Sequence, residues 1–194
     1  GALEFDGVDD YVVSATTLPV SLAAASMSVW FKPDDVINAG YQRIIGNGGC
    51  YYCLRTTGTT LQANTYDGTN DLVTLTSFLT AGQWYHAVVT WDSTTLRLYV
   101  DGIEKGNTPA GAPTVGTILY VGSNAANPSG LFNGTIDDVY IFSRALTANE
   151  VKYLYNLQNN DGTLGDATCQ AAAGTCPTWS TDNAPGSTGG SLSF

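Results

Sequence analysis

The stretch GQWYHAVVTWDSTTLRLYVDGIE, residues 82–104, decides how this chain folds. Apolar residues occupy every second position on both sides of a polar break at residues 92–95, and many of them are β-branched or aromatic. A period of two with such residues is typical of strands with one buried face. The polar break predicts a tight turn, so the stretch forms a β-hairpin, and Asp101-Gly102 predicts a second turn into a third strand.

The hairpin is the centre of a predicted core that includes two other segments. Residues 26–32 read SMSVWFK, and residues 135–142 read TIDDVYIF. Alternating strands of this kind build the packed interior of a β-sandwich. The side chains that we expect to be mostly buried are Trp30, Phe31, Val89, Trp91, Leu96, Leu98, Val100, Ile136 and Ile141.

Three motifs, in order along the chain, resemble a known family. The hairpin contains W-Y-H-x-x-x-T-W-D followed by L-x-L-Y-V-D-G, residues 1–12 read GALEFDGVDDYV, and residues 133–151 read NGTIDDVYIFSRALTANEV. They resemble the central hairpin, opening strand and closing strand of the laminin-G-like, concanavalin-A-like jelly-roll domains. The resemblance implies an all-β jelly-roll β-sandwich of two antiparallel sheets over residues 1–158. It indicates the architecture more strongly than the function, because this fold hosts many activities.

One short helix is predicted after the closing strand. Thr147 and Glu150 form the Thr-x-x-Glu capping box that begins many helices. Apolar residues that share one helical face follow at Val151, Leu154 and Leu157. We therefore expect a helix near residues 148–156.

The composition restricts the possible partners. The chain has 7 Lys and Arg against 17 Asp and Glu, which gives a formal net charge of −10. Nucleic acids and anionic membranes both require a basic surface, so the charge balance disfavours them. The sequence also contains no run of about 18 apolar residues, the length that predicts a transmembrane helix. We expect neither nucleic-acid binding nor membrane insertion.

The four cysteines form two close pairs, Cys50 with Cys53 and Cys169 with Cys176. An even number at short spacing is compatible with two local disulfides and an oxidising compartment. We therefore expect an extracellular or cell-surface protein. A zinc site made from the four thiolates is the alternative, although the first pair lies in a strand-like stretch and the second is spaced more widely than structural zinc ligands usually are.

Residues 159–194 differ in composition from the rest of the chain, being rich in Gly, Ala, Ser and Thr. They are typical of a linker, but their ending GSLSF repeats the pattern of the opening GALEF. The segment thus resembles the start of a next copy of the same domain. We expect copies to join head-to-tail by strand addition, in which Leu192 and Phe194 fill pockets at the opening edge of the neighbouring sandwich.

Catalysis has little support in the sequence. Glycosidases need two carboxylates that face one sugar. The three glutamates, Glu4, Glu104 and Glu150, lie at a chain end, after a turn and in the capping box. His86 has no nucleophile motif beside it, and a general base needs a positioned partner. We therefore expect a protein that is not an enzyme.

A structural calcium ion is a possible cofactor. Asp6, Asp9 and Asp10 lie in one turn, and Ca²⁺ takes six to eight oxygen ligands, often from carboxylates. The family resemblance implies that the first and last strands pair, which would bring Asp6 close to Asp137 or Asp138, where many members hold a structural calcium. The predicted metal ligands are therefore Asp6, Asp137 and Asp138.

Two functions remain open. The favoured one is a non-catalytic extracellular module for adhesion or assembly, one repeat unit of a surface array or filament. The alternative is a lectin-like carbohydrate-binding module attached to a secreted enzyme, in which exposed rings stack on sugar faces and loop amides bind the hydroxyls. Its predicted ligand-binding residues are Tyr51, Tyr52, Tyr66, Asn124 and Asn127. Because Tyr51 and Tyr52 are adjacent, only one of them can face the core of a regular strand.

Overall fold

The computed structural model describes residues 1–14, 24–37, 40–111, 113, 118–124 and 130–159, with side chains as far as residue 157. These residues form twelve strands, a short 3₁₀ helix at Gly48–Cys50 and one α-helix. The elements are β1 Leu3–Asp6, β2 Val12–Val13, β3 Ala25–Pro33, β4 Tyr41–Asn47, β5 Tyr52–Thr57, β6 Thr60–Tyr66, β7 Asn70–Leu75, β8 Tyr85–Trp91, β9 Thr95–Val100, β10 Ile103–Pro109, β11 Leu119–Val121, β12 Asn133–Phe142 and α1 Ala148–Asn159.

The strands pair into two six-stranded antiparallel sheets. Sheet A has the order β1-β12-β3-β8-β9-β10, and sheet B has the order β2-β11-β4-β5-β6-β7. The opening strand β1 lies at the edge of sheet A and pairs with the closing strand β12, as the resemblance implies. The predicted jelly-roll β-sandwich is confirmed.

The core lies between the two sheets because each strand turns alternate side chains inward. The predicted hairpin is formed by β8 and β9, in which Val89 lies opposite Leu98. Eight of the nine side chains expected in the core are at most 4% exposed; they are Phe31, Val89, Trp91, Leu96, Leu98, Val100, Ile136 and Ile141.

Trp30 is the exception among the expected core residues. Its neighbour Phe31 occupies the inward position on β3, so Trp30 points to the outer face of sheet A and is only half-buried. There its ring stacks on Tyr155 of α1, with the ring centroids 5.8 Å apart.

Helix α1 covers part of the outer face of sheet A. Its residues Val151 and Leu154 pack with Val88 of β8 and Tyr99 of β9 in a second, smaller apolar cluster. Strand β8 is therefore buried on both faces. The alternating pattern had predicted a half-buried strand, because it carries no information about a helix that packs over the sheet from a distant part of the chain.

The predicted capping box begins this helix. The backbone N–H of Glu150 donates to Thr147 Oγ1 at 3.3 Å, and the backbone N–H of Thr147 donates to Glu150 Oε2 at 2.8 Å. Arg144 also donates from both terminal nitrogens to the Glu150 carboxylate, at 2.9 and 2.7 Å. The helix continues to Asn159, and no described helix is long and apolar enough to cross a membrane.

Candidate functional site

The outer face of sheet B carries a cluster of aromatic, amide and basic side chains. Tyr52 and Leu54 of β5 face the core, so Arg55 points outward. The ladder places Arg43 of β4 and Gln62 of β6 on either side of Arg55. We call this surface the arginine–tyrosine face, and it consists of Tyr41, Arg43, Tyr51, Arg55, Gln62, Tyr66 and Asn124.

A disulfide holds the turn at one end of this face. Cys50 and Cys53 are bonded, with their Cα atoms 5.0 Å apart, so the expected pairing is present and both sulfurs are unavailable to the alternative zinc site. Cys50 lies in the 3₁₀ helix rather than in the strand, with Gly49 at a φ of 83°. Asn64 fixes the turn from below by donating from Nδ2 to the Cys50 carbonyl at 2.7 Å.

Two tyrosine rings flank the disulfide. The backbone N–H of Tyr66 donates to the carbonyl of Tyr51 at 2.9 Å, which brings the two side chains together. Their ring centroids lie 5.8 Å apart at an angle of 48°, and both side chains are half-buried. The pair thus presents partly exposed aromatic surface on a backbone that is held by a covalent bond and hydrogen bonds.

The loop after β11 joins the same face. The carbonyl of Asn124 accepts from the backbone N–H of Gly49 at 3.3 Å, and its side-chain Oδ1 accepts from Arg43 Nη2 at 2.7 Å. The structure therefore brings together three of the predicted ligand-binding residues, Tyr51, Tyr66 and Asn124. Asn127 lies outside the described residues, as do Cys169, Cys176, Leu192 and Phe194.

Tyr52 is a wrong prediction as a ligand-binding residue. It is the inward member of the adjacent tyrosine pair and only 7% exposed. Its hydroxyl donates to the carbonyl of Val89 in the opposite sheet at 2.8 Å, and burial raises the pKa of this hydroxyl. Tyr52 connects the two sheets and is not available to a ligand.

Arg43 and Arg55 are functional candidates that the sequence analysis missed. They are directly opposite each other on adjacent strands. Arg43 is only 6% exposed, and burial followed by the charge of Arg55 lowers its pKa to about 10. Arg55 lies over the ring of Tyr41, with its guanidinium carbon 4.0 Å from the ring centroid. The available signal was the presence of single arginines within two largely uncharged strands, YQRIIGN and YCLRTT.

A second cluster, of carboxylates, lies in the loop between β1 and β2. Oxygens of Asp6, Asp9 and Asp10 all lie within 4.8 Å of one another, and the three side chains are exposed. Asp6 Oδ1 accepts from the backbone N–H of Val8 at 2.7 Å, and Asp10 Oδ2 accepts from that of Asp6 at 3.1 Å. These bonds hold the carboxylates together in a small acidic loop.

The two other predicted metal ligands do not join this loop. The register of β1 on β12 places Asp6 opposite Asn133 and Leu3 opposite Ile136, so Asp137 lies beyond the other end of β1. Four positions along a strand correspond to about 13 Å. The backbone N–H of Asp138 donates to Asp137 Oδ1 at 2.9 Å, and burial together with the charge of Asp137 raises the pKa of Asp138.

The groups considered for catalysis are separate from one another. Glu150 is bound by Arg144 and the capping box, Glu104 accepts from Asn107 at 2.7 Å, and Glu4 lies on the edge strand β1. His86 is fully buried on β8, in the middle of sheet A, where its Nε2 lies 2.9 Å from Ser28 Oγ. Glu150, Glu104 and His86 each have a structural partner, and Glu4 lies apart from them at the edge of sheet A.

Comparison with known families decides the relationship of this chain. A family model described as the Concanavalin A-like lectin/glucanases superfamily matches residues 6–152. The chain belongs to this superfamily. No curated protein matches this superfamily member significantly by sequence.

Solved structures show the same fold at low sequence identity. The heptameric SAP-like pentraxin of Limulus polyphemus superposes with a TM-score of 0.65 at 16% identity, covering 79% of this chain and 81% of the pentraxin. A Bacteroides ovatus protein described as a candidate carbohydrate-binding protein gives 0.61 at 22%, covering 78% of this chain and 45% of that one. The receptor-binding domain of botulinum neurotoxin D gives 0.62 at 15%, covering 81% and 44%. The superfamily member thus spans less than half of the last two chains.

Proposed function

We propose that this chain is a non-catalytic carbohydrate-binding domain of an extracellular protein and that it binds sugar at the arginine–tyrosine face. The observation that carries the proposal is the Tyr51–Tyr66 ring pair on the same face as the side-chain amide of Asn124, which Arg43 holds in place. Aromatic rings offer apolar surface to the C–H faces of a sugar, and a few placed polar groups fix its orientation. Membership of a superfamily that includes lectins is compatible with sugar binding, but it does not by itself assign this function to the chain.

The rigidity of the face favours binding. Association costs less when the binding groups are already ordered, since fewer side chains and loops lose freedom on contact. Here the disulfide, the Asn64 bond to Cys50 and the Asn124 bond to Gly49 hold the turn that carries Tyr51. The disulfide also supports an extracellular location, because such bonds persist in oxidising compartments.

Replacing Tyr51 or Tyr66 with alanine is expected to weaken glycan binding about tenfold or more, since stacking with an aromatic ring is lost. Binding is screened on a glycan array and measured by calorimetry for the best glycan. Trp84→Ala is the matched control, because Trp84 is 39% exposed and lies outside the face. Equal affinity of all four proteins, or no glycan binding at all, would contradict the proposal.

We also propose that the acidic loop holds a structural calcium ion. Asp6, Asp9 and Asp10 fit such an ion because three exposed carboxylates within 4.8 Å repel one another unless a cation lies between them. Carboxylate oxygens are ligands that Ca²⁺ prefers, and this loop is where β1 of sheet A leads into β2 of sheet B. Bound calcium would therefore stabilise the connection between the two sheets.

Excess calcium is expected to raise the melting temperature after treatment with a chelator. A ligand at about 100 times its Kd stabilises the folded state by about 2.7 kcal/mol. For a domain of this size that corresponds to a shift of about 5–10 °C. Asp9→Asn should remove the shift, whereas Asp67→Asn, at an exposed aspartate in the turn between β6 and β7, should keep it. The same melting temperature with calcium and with chelator would rule the ion out.

Head-to-tail assembly is the second candidate function, favoured by the position of β1 at the edge of sheet A. An edge strand presents backbone groups that an added strand can pair with. Residues 160–194, the proposed donor, lie outside the described residues. Sedimentation of the full chain is expected to show oligomers that grow with concentration and disappear in Phe194→Asp. A monomer over the whole concentration range would leave glycan binding as the only candidate.

A further inference from the structure

We propose that the glycan bound at the arginine–tyrosine face is acidic and that Arg43 and Arg55 recognise its carboxylate or sulfate group. The inference rests on the proposed function, since it assigns the ligand class of the same face.

In the part of the chain that the structure describes, the guanidinium groups of Arg43 and Arg55 donate hydrogen bonds only to uncharged acceptors. Arg43 donates from Nη1 to Cys53 Sγ at 2.9 Å and from Nη2 to Asn124 Oδ1 at 2.7 Å. Arg55 donates from Nε to Gln62 Oε1 at 2.9 Å. The other two arginines differ, because Arg97 pairs with Asp92 and Arg144 pairs with Glu150.

This arrangement is energetically unfavourable without a counterion. Like charges directly opposite each other on neighbouring strands destabilise a sheet. Burial adds to the cost, because Arg43 is 94% removed from solvent and its Nε has no hydrogen-bond acceptor in the described structure. An anion beside the pair would offset both the repulsion and the loss of solvation.

The net negative charge of the chain makes the lack of an acidic partner for Arg43 and Arg55 unexpected. A chain with a net charge of −10 and only seven basic residues has acidic groups available as partners, yet the described structure places none against these two arginines. A neutral sugar would need only rings and amides. Paired guanidinium groups fit a ligand with negative oxygens, because their N–H groups match the geometry of carboxylates and oxyanions.

The position of Arg55 relative to the tyrosines allows one ligand to contact both. Arg55 is half-exposed, and its guanidinium group lies over the ring of Tyr41. Its Nη1 lies 3.9 Å from the sulfur of Cys50, the residue that precedes Tyr51. A sugar stacked on Tyr51 and Tyr66 therefore has its ring substituents next to Arg55, while the charge of Arg43 lies behind it.

The test compares pairs of oligosaccharides that differ only in charge. Hexagalacturonate is compared with its methyl ester, and sulfated cellohexaose with cellohexaose, by calorimetry on the full chain. We expect the charged member of one pair to bind about tenfold more tightly or better. The pair that shows the preference identifies the group as a carboxylate or a sulfate. Arg55→Gln should remove the preference, whereas Arg97→Gln, which changes the net charge equally on the other sheet, should retain it.

A measurement on the unmutated protein makes the outcome independent of whether the variants fold. In ¹⁵N NMR spectra, galacturonate should shift the side-chain Nε–H signals of Arg43 and Arg55, and galactose should not. If both members of each pair bind equally and only Tyr51→Ala weakens them, glycan binding stands and the acidic ligand is overturned. If no probe binds and no arginine signal moves, the acidic ligand is overturned, and glycan binding is overturned with it only if the glycan array also shows no binding.

Discussion

Leu98→Ala is expected to lower the free energy of unfolding by about 2–5 kcal/mol. Leu98 is completely buried in the core, where it lies opposite Val89 on β8 and Gly106 on β10. Truncation removes apolar contacts and leaves a cavity, because side chains in a packed sandwich interior relax only partly. Urea denaturation measures the change, and an unchanged dependence on urea would show that the loss is in stability alone.

Leu72→Ala is the matched control for this prediction. Leu72 lies on β7 of the other sheet and is 37% exposed, so the same chemical change should cost less than about 1 kcal/mol. Equal losses from the two substitutions would contradict the placement of the hairpin at the centre of the core.

Lowering the pH from 6.5 to 4 is expected to remove about 3 kcal/mol of stability through His86 alone. Burial lowers the pKa of His86 from 6.5 to about 4. The unfolded chain therefore binds a proton on this side chain in a pH range where the folded chain does not. Stability is fully present above the unfolded value of 6.5 and is lost as the pH falls towards the folded value of about 4.

The surroundings of His86 explain why its ring stays neutral. The ring packs against those of Trp30 and Tyr155, with centroid distances of 5.2 and 5.9 Å, and Nδ1 is a buried nitrogen with no hydrogen-bond partner in the described structure. Proton uptake would place an unpaired charge beneath α1. Comparing His86→Gln with the wild type cancels the carboxylates that titrate in the same range. A stability curve of the same slope in both proteins would contradict the assignment.

Local spacing in the sequence was sufficient to predict the hairpin, from its alternating pattern, and the capping box, from Thr147 and Glu150, whereas the jelly-roll sandwich was predicted from the ordered motifs that resemble the family. The alternating pattern could not predict that β8 is buried on both faces, since this depends on α1 packing from a distant part of the chain, nor that Trp30 lies outside the core. Neighbouring positions such as Trp30 and Phe31 point to opposite faces, and only the pairing of β3 decides which one faces inward.

The candidate sites also depend on strand register, which the spacing of residues in the sequence does not reveal. Tyr51, Tyr66 and Asn124 were predicted from residue type, but the opposite positions of Arg43 and Arg55 depend on the register of β4 and β5, which includes an irregularity between Arg43 and Ile45. A register is set by contacts across the whole sheet, and a one-residue slip reverses every side chain. The grouping of Asp6 with Asp9 and Asp10 rather than with Asp137 is also a matter of register.

The short span of the Cys50–Cys53 disulfide bears on whether the chain folds before or after these two thiols are oxidised. Closing a loop of four residues constrains the unfolded chain by only about 2 kcal/mol, against about 3 kcal/mol for fifteen residues. Both cysteines are buried, but neither belongs to the apolar cluster between the two sheets. We therefore expect the sandwich to fold while both thiols are reduced. In the proposed extracellular function, oxidation after export would then complete the proposed ligand surface, so binding would begin only outside the compartment of synthesis.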